Sequence, residues 1–279
     1  MLSSITIKGN LQKMATNLAI PVQYWLLLNQ DKIPLNEYLG KDISLVYTGK
    51  INCIACNRVI KKSYQQGYCF LCTKALAQCD LCIVKPELCH HHKGTCREPE
   101  WGKGHCFAPH IVYLANSSGI KVGITREAQI PTRWLDQGAV QALPIVRTQS
   151  RYQAGLIEVC FAEFVADNTN WRKMLQGNIK SESLALIRDE LFFKIAAKMQ
   201  TIAAKFNFGD IELLTSEPSI DITYPVLEYP KKIVALNFTK EPKVEGTLLG
   251  IKGQYLIFNH GVINIRSFAG YEVSFAVLK

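Results

Sequence analysis

No apolar run in the 279-residue chain approaches the roughly 20 residues needed to cross a bilayer, and Met1 to Asn10 lacks the apolar core of a secretory signal. Low-complexity tracts and internal repeats are equally missing from the reading, which excludes solenoids and long linkers. The expected location is therefore the cytoplasm. Disorder is excluded by a hydrophobic content of 48%, and the length gives room for two or three compact units. Acidic residues are in the minority, 23 against 32 Lys and Arg, for a net charge of +9. The excess is local: residues 51–110 hold eight basic side chains against four acidic ones, whereas residues 179–279 are nearly balanced. A basic excess favours polyanions, nucleic acid first, without by itself separating partner from solubility.

Cysteine is what the chain has in quantity. Ten cysteines in a reducing compartment are not expected to pair as disulfides. Nine fall between Cys53 and Cys106, six of them in Cys-x-x-Cys pairs. Cys53-x2-Cys56, followed by Cys69-x2-Cys72, has zinc-ribbon or treble-clef spacing, since a two-residue gap lets both sulfurs face one ion. Between these pairs, Arg58, Lys61 and Lys62 make a basic loop suited to gripping a nucleic-acid backbone without reading its sequence. Cys79, Cys82, Cys89 and Cys96 supply a second set of four, with His90, His91, His92, His105 and Cys106 competing for the same positions. Buried free thiols are a poor alternative, because few apolar residues lie between Cys79 and Cys106 to make a core. No strand-then-helix pattern flanks a pair as a thioredoxin-like site needs. Two structural zinc ions are expected.

Residues 110–178 carry the candidate chemistry. An alternating strand reaches Leu114, Ser117-Ser118-Gly119 turns the chain, and Lys121-Val122-Gly123-Ile124 returns, a hairpin pattern. Pro131 and Gly138 suit the start and end of a short helix. A second helix begins near Arg151, with an apolar stripe of Ala154, Ile157, Phe161, Phe164 and Val165. Glu158 borders that stripe, so it needs a partner: a metal, or an ion pair with Arg151 or Arg133. Arg133 has the planar fork that grips two phosphate oxygens, or it lies on a solvated face. Tyr113 is a packed ring or a functional phenol, Lys121 is read as its neighbour across the hairpin, and Arg126 is a further backbone contact.

This order of parts resembles the GIY-YIG nuclease superfamily. Ile111-Val112-Tyr113 stands where that family has Gly-Ile-Tyr, and Lys121-Val122-Gly123 where it has Tyr-Ile-Gly. Arg133-Trp134 matches its helical Arg, and Glu158 its metal-binding Glu. Ile111 and Lys121 depart from the pattern. The resemblance implies a nuclease using one Mg²⁺ or Mn²⁺ on DNA or RNA: Tyr113, helped by Lys121, takes the proton of the attacking water, Arg133 holds the scissile phosphate, and Glu158 holds the cation. The whole chain also resembles a bacterial family of unknown function that contains zinc.

Residues 180–207 read as one long amphipathic helix, and residues 210–279 return to strands, Ile233 to Phe238 among them. Gly246, Gly250 and Gly253 suggest the bends of a small barrel. The expected fold class is α+β, with four parts: an N-terminal β unit (1–50), a two-zinc segment (51–109), a GIY-YIG-like α/β unit (110–178), and a long helix with a C-terminal small β barrel (179–279). The function expected is a metal-dependent nucleic-acid phosphodiesterase; the alternative is a DNA- or RNA-binding protein that keeps the scaffold without catalysis.

Overall fold

The structure is a computed structural model, and it describes residues 6–207 and 209–278. Ile5, at the head of the first expected strand, and the first half of the segment searched for a signal lie outside the described residues. In chain order the strands are β1 (Thr6–Asn10), β2 (Ala15–Asn17), β3 (Gln23–Leu28), β4 (Asp31–Pro34), β5 (Asp42–Asn52) and β6 (Val59–Ile60). Then come β7 (His110–Asn116), β8 (Ile120–Arg126), β9 (Gln141–Thr148), β10 (Ile211–Leu213) and β11 (Ile220–Asp221). The last four are β12 (Lys243–Lys252), β13 (Tyr255–Phe258), β14 (Gly261–Asn264) and β15 (Tyr271–Val277). The helices are α1 (Phe70–Ala75), α2 (Pro99–His105), α3 (Thr132–Asp136), α4 (Arg151–Ala162), α5 (Trp171–Gln176) and α6 (Leu184–Ala203). The protein is thus mixed α and β, and no described helix is long and apolar enough to cross a membrane.

The chain divides into two compact units. The first takes in the described parts of Met1–Lys74 and Ile222–Lys279, with Leu175–Gly177. Its main sheet runs β1-β15-β5-β12-β13-β14, with β6 also on β5, and β2-β3-β4 form a second sheet. Alternation sets the core: Tyr24, Leu26 and Leu28 of β3 are buried while their neighbours are half-exposed, as period-two side chains require. Each fully buried Leu or Phe of this kind contributes about 1.5–3 kcal/mol of transfer free energy.

Two halves of this unit repeat one another, although the sequence was read as free of repeats. The hairpin β3-β4, the 3-10 turn Leu35–Tyr38, Gly40 and β5 recur as β13-β14, the turn Ile265–Phe268, Gly270 and β15. The halves meet where β5 pairs with β15: Leu45 opposes Phe275, flanked by Tyr47 opposite Val273 and Ile43 opposite Val277. The Gly40 N–H bonds Leu248 O at 2.8 Å, and the Gly270 N–H bonds Leu11 O at 2.8 Å. Both glycines have positive φ, 76° and 86°, the left-handed region that glycine enters without a Cβ penalty. Each half places its long strand beside that of the other, in an approximate twofold.

The expected C-terminal barrel is not found. Among the described residues the sheet is open, with β1 and β14 at its ends. Of the glycines read as barrel bends, Gly246 and Gly250 flank a change of partner and Gly253 turns β12 into β13 at φ 62°: β12 pairs with β5 through Thr247 and with β13 from Leu248 on, with a register shift between Leu248 and Gly250. The expected strand Ile233–Phe238 is also absent, apart from a single bridge from Ala235 to Val262. Asn237 diverts that segment, its Oδ1 accepting from the Thr239 N–H at 2.8 Å and its carbonyl from Lys240.

The second unit holds Ala75–Met174 and Asn178–Asp221. Its antiparallel sheet runs β10-β9-β7-β8, with β11 also on β9. Helix α4 packs on the sheet through Ala154, Ile157 and Phe161, against Val112, Leu114, Val122 and Val146. Ser150 caps it, its Oγ accepting from the Gln153 N–H at 3.3 Å. Helix α6 adds Leu184, Leu191, Ile195, Met199 and Ile202 to the same core, one side chain every turn or so.

Candidate functional site

Three chemical centres were expected, and each can be traced within one unit: the first zinc site in the first unit, the second zinc site and the reaction centre in the second. In the first unit the four sulfurs of Cys53, Cys56, Cys69 and Cys72 lie within 4.8 Å of one another. The Cys56 and Cys69 sulfurs are 3.9 Å apart. Zn–S bonds of about 2.3 Å put the corners of a tetrahedron roughly 3.8 Å apart, so the spacing fits zinc. Local backbone geometry makes the cup. Asn57 turns in the left-handed region at φ 57°, bringing its N–H onto Cys53 O at 2.9 Å. The Cys69 N–H donates to Cys53 Sγ at 3.2 Å and the Cys72 N–H to Cys69 Sγ at 3.3 Å, as helix α1 begins. Burial pushes the Cys53 thiol up, but the N–H groups of Cys56, Cys69 and Ala55 outweigh it and bring it down to about 6. Cys72, in contact first with the Cys69 thiol, is pushed up to about 12. Four thiols so arranged can hold a metal ion such as zinc. Arg58, Lys61 and Lys62 are solvent-exposed on the loop between the pairs, with the Lys62 ammonium 5.3 Å from the Tyr64 ring.

The second unit brings Lys121, Arg133 and Glu158 to one open cleft of about 390 Å³. Strand β8 supplies Lys121, α3 supplies Arg133 and α4 supplies Glu158. Tyr113 of β7 lies beneath, wholly buried, its ring edge-on to Trp134 at 6.0 Å and its hydroxyl donating to Gln137 Oε1 at 3.0 Å. Across the hairpin Tyr113 pairs with Gly123, and a Cβ there would meet the hydroxyl at 2.7 Å. Lys121, expected opposite Tyr113, instead pairs with Ala115, two residues along. Period-two alternation keeps Lys121 and Gly123 on one face, and both line the cleft.

Burial governs the electrostatics. It pushes the Tyr113 phenol up against the opposing pull of Arg133. It brings Lys121 down to about 8, with the Arg133 charge adding. It raises Glu158 too; Arg151 counters this, while Asp167 and Glu87 reinforce it. Asp167 and Glu87 line the cleft and were not assigned from sequence, and Arg151, read as an ion-pair partner for Glu158, lines it as well. Arg151 sits two turns before Glu158 on α4, a spacing that places both on one face. Its guanidinium donates to Ile83 O, and its Nε is buried with no hydrogen-bond partner. Asp167 arrives through a parallel bridge between Ala166 and Lys121, a contact between distant segments with no local sequence signal. Arg126 ends β8 half-buried and does not line the cleft.

His110, at the start of β7, is fully buried, with Nδ1 2.8 Å from Ala108 O and Nε2 without a partner. Burial brings it down to about 4. In the Cys-rich part of this unit, Cys82, Cys89, Cys96 and Cys106 line a small cavity with His91, whereas Cys79 is buried outside its lining. A cavity of about 530 Å³ lies in the first unit beside Cys53 and is lined by carboxamides, Asn10, Asn29, Asn57 and Gln65 among them.

A family model described as a protein of unknown function (DUF2797) matches residues 40–273. The chain belongs to the DUF2797 family. The match takes in both the four-thiol cluster and the cleft, and the family's description carries no activity. Comparisons with curated proteins and with solved structures returned no match.

Proposed function

We propose that this DUF2797 chain is a metal-dependent nucleic-acid phosphodiesterase, with the Lys121–Arg133–Glu158 cleft as its reaction centre. One observation carries the reading: a Lys, an Arg and a Glu from three separate elements line a single open cleft above a tyrosine hydroxyl. The hairpin β7-β8 followed by α3 and α4 is the order of parts on which the GIY-YIG resemblance rests, and β9 occupies the stretch between the two helices. Arg133 grips the scissile phosphate through its planar fork. Lys121, held near 8, has a neutral fraction able to take the proton of an attacking water, the role first expected of Tyr113. Tyr113 stays protonated and positions Gln137 at the cleft wall.

Glu158 and Asp167 offer hard oxygen donors suited to Mg²⁺ or Mn²⁺, and the mutual repulsion of carboxylates at Glu158 is what a bound cation relieves. Such an ion supplies charge neutralisation at the leaving oxygen. The exposed Arg58, Lys61 and Lys62 contact the phosphate backbone, with Arg126 a further contact. A zinc ion closes Cys53, Cys56, Cys69 and Cys72, and a second one closes the segment from Cys79 to Cys106. Reduced thiols suit a cytoplasmic setting.

The test is cleavage of supercoiled plasmid and of structured RNA with Mg²⁺ or Mn²⁺. Wild type should cut, while Glu158→Gln and Arg133→Ala should bind and not cut. Cleavage unchanged in Glu158→Gln would sink the proposal. A second reading, binding without catalysis, draws on the complete burial of Tyr113. It predicts no cleavage by wild type, with steeply salt-dependent binding that is the same in Glu158→Gln.

A further inference from the structure

We infer that the second zinc is held by Cys82, Cys89, Cys96 and Cys106, not by Cys79, and that this ion fixes one wall of the cleft. The inference deepens the second zinc of the proposed function and is independent of nuclease activity. Spacing alone favoured Cys79, the first member of a Cys-x-x-Cys pair. In the fold Cys82, Cys89, Cys96 and Cys106 all line a cavity of about 20 Å³, the size of a single ion or water, and Cys79 is not among its lining residues. Gly102, on α2, lies against the cluster: a Cβ there would be in ordinary contact, 3.7 Å from Cys96 Sγ and 3.4 Å from His91 Cδ2.

Asp80 and His90 have ligand atoms within 4.8 Å of Cys82 and of one another, but each also has partners of its own. The Asp80 carboxylate takes the Arg97 guanidinium at 2.7 Å and caps the Cys82 N–H at 3.4 Å. His90 Nδ1 lies 2.7 Å from Thr95 Oγ1, and its Nε2 faces Asp80 at 3.6 Å. They brace the loops around the thiols. Four sulfurs from loops with so little apolar burial are what a structural zinc needs, because metal binding there supplies the folding free energy.

The loop between Cys82 and Cys89 is also a wall of the cleft, through Ile83, Val84 and Glu87. Helix α4 lies directly on it: a Cβ at Gly155 would come within 2.5 Å of Pro86 and 2.7 Å of the Glu87 nitrogen. Arg151 ties to the segment twice, through its guanidinium on Ile83 O and through its N–H on Cys106 O at 2.7 Å. An ion that fixes Cys82, Cys89 and Cys106 therefore fixes both anchors of Arg151, one turn of helix behind Gly155 and two behind Glu158.

The experiment counts zinc on the purified full chain and follows hydrogen exchange by peptide. Wild type and Cys79→Ser should carry two zinc ions per chain, and Cys106→Ser one. In Cys106→Ser, exchange should rise across residues 83–88 and 151–158, while residues 53–72 keep their protection, which separates loss of the site from loss of the fold. Cobalt-substituted wild type should show the absorption of a four-thiolate site at both positions, and His91→Ala should keep both ions. One zinc in wild type, loss of an ion in Cys79→Ser but not in Cys106→Ser, loss in His91→Ala, or unchanged exchange at residues 83–88 each overturns the inference. None of these readouts depends on cleavage, so failure of the nuclease reading would leave this one standing.

Discussion

At the scale of single residues, the cleft depends on one absent methyl group. Gly123 stands opposite Tyr113, and any side chain there would strike the phenol. Gly123→Ala should cost about 1–3 kcal/mol of stability, the usual range for overpacking, read as a lower urea midpoint with an unchanged slope. His110 is the second point. Its unfolded value of 6.5 falls to about 4 in the fold because burial disfavours the imidazolium. Between those values the unfolded chain binds the extra proton, so its contribution to stability is complete above 6.5 and is lost as pH falls toward 4. The loss should approach about 3 kcal/mol at roughly 1.4 kcal/mol per pH unit, and urea titrations across that interval should be flatter for His110→Gln than for wild type. The sequence named Tyr113, Lys121, Arg133 and Glu158, since each follows a local motif. It was silent on Asp167, which reaches the cleft only through the bridge from Ala166 to Lys121.

At the scale of elements, what was legible depended on whether a segment's partners are local. The apolar stripe of Ala154, Ile157 and Phe161 specified α4, whose start the structure caps with Ser150. The hairpin β7-β8 was readable because its turn, Ser117-Ser118-Gly119, lies within the pattern it closes. Ile233–Phe238 looked just as strand-like, but its apolar residues lie against β14 through one bridge while Asn237 turns the chain away. Propensity describes what a segment tolerates, and pairing decides what it becomes. The cap on α4 can be tested directly, because that helix carries both Arg151 and Glu158. Ser150→Ala removes the acceptor for the Gln153 N–H and should lower stability by about 1 kcal/mol, measured by urea unfolding.

At the scale of the whole molecule, the first unit is built by exchange between its halves. Leu26, Asn29, Gly40 and Ser44 recur as Leu256, Asn259, Gly270 and Ser274, too few identities to announce a repeat, yet enough to hold the hairpin, the turn and the central strand in place. Each half lends its long strand to the other, β5 beside β15 and β12, β15 beside β5 and β1. Neither half then has a complete sheet, and either one alone would expose strand edges and the apolar faces of Leu45 or Phe275. A fragment of residues 1–74 should therefore lack fixed tertiary structure and should bind zinc only weakly. Mixing it with residues 222–279 should restore β-sheet circular dichroism and one tightly held zinc per pair, with the midpoint of recovery set by fragment concentration. A folded 1–74 fragment that retains the ion without its complement would show that the duplication is a resemblance of shape and not a division of the core.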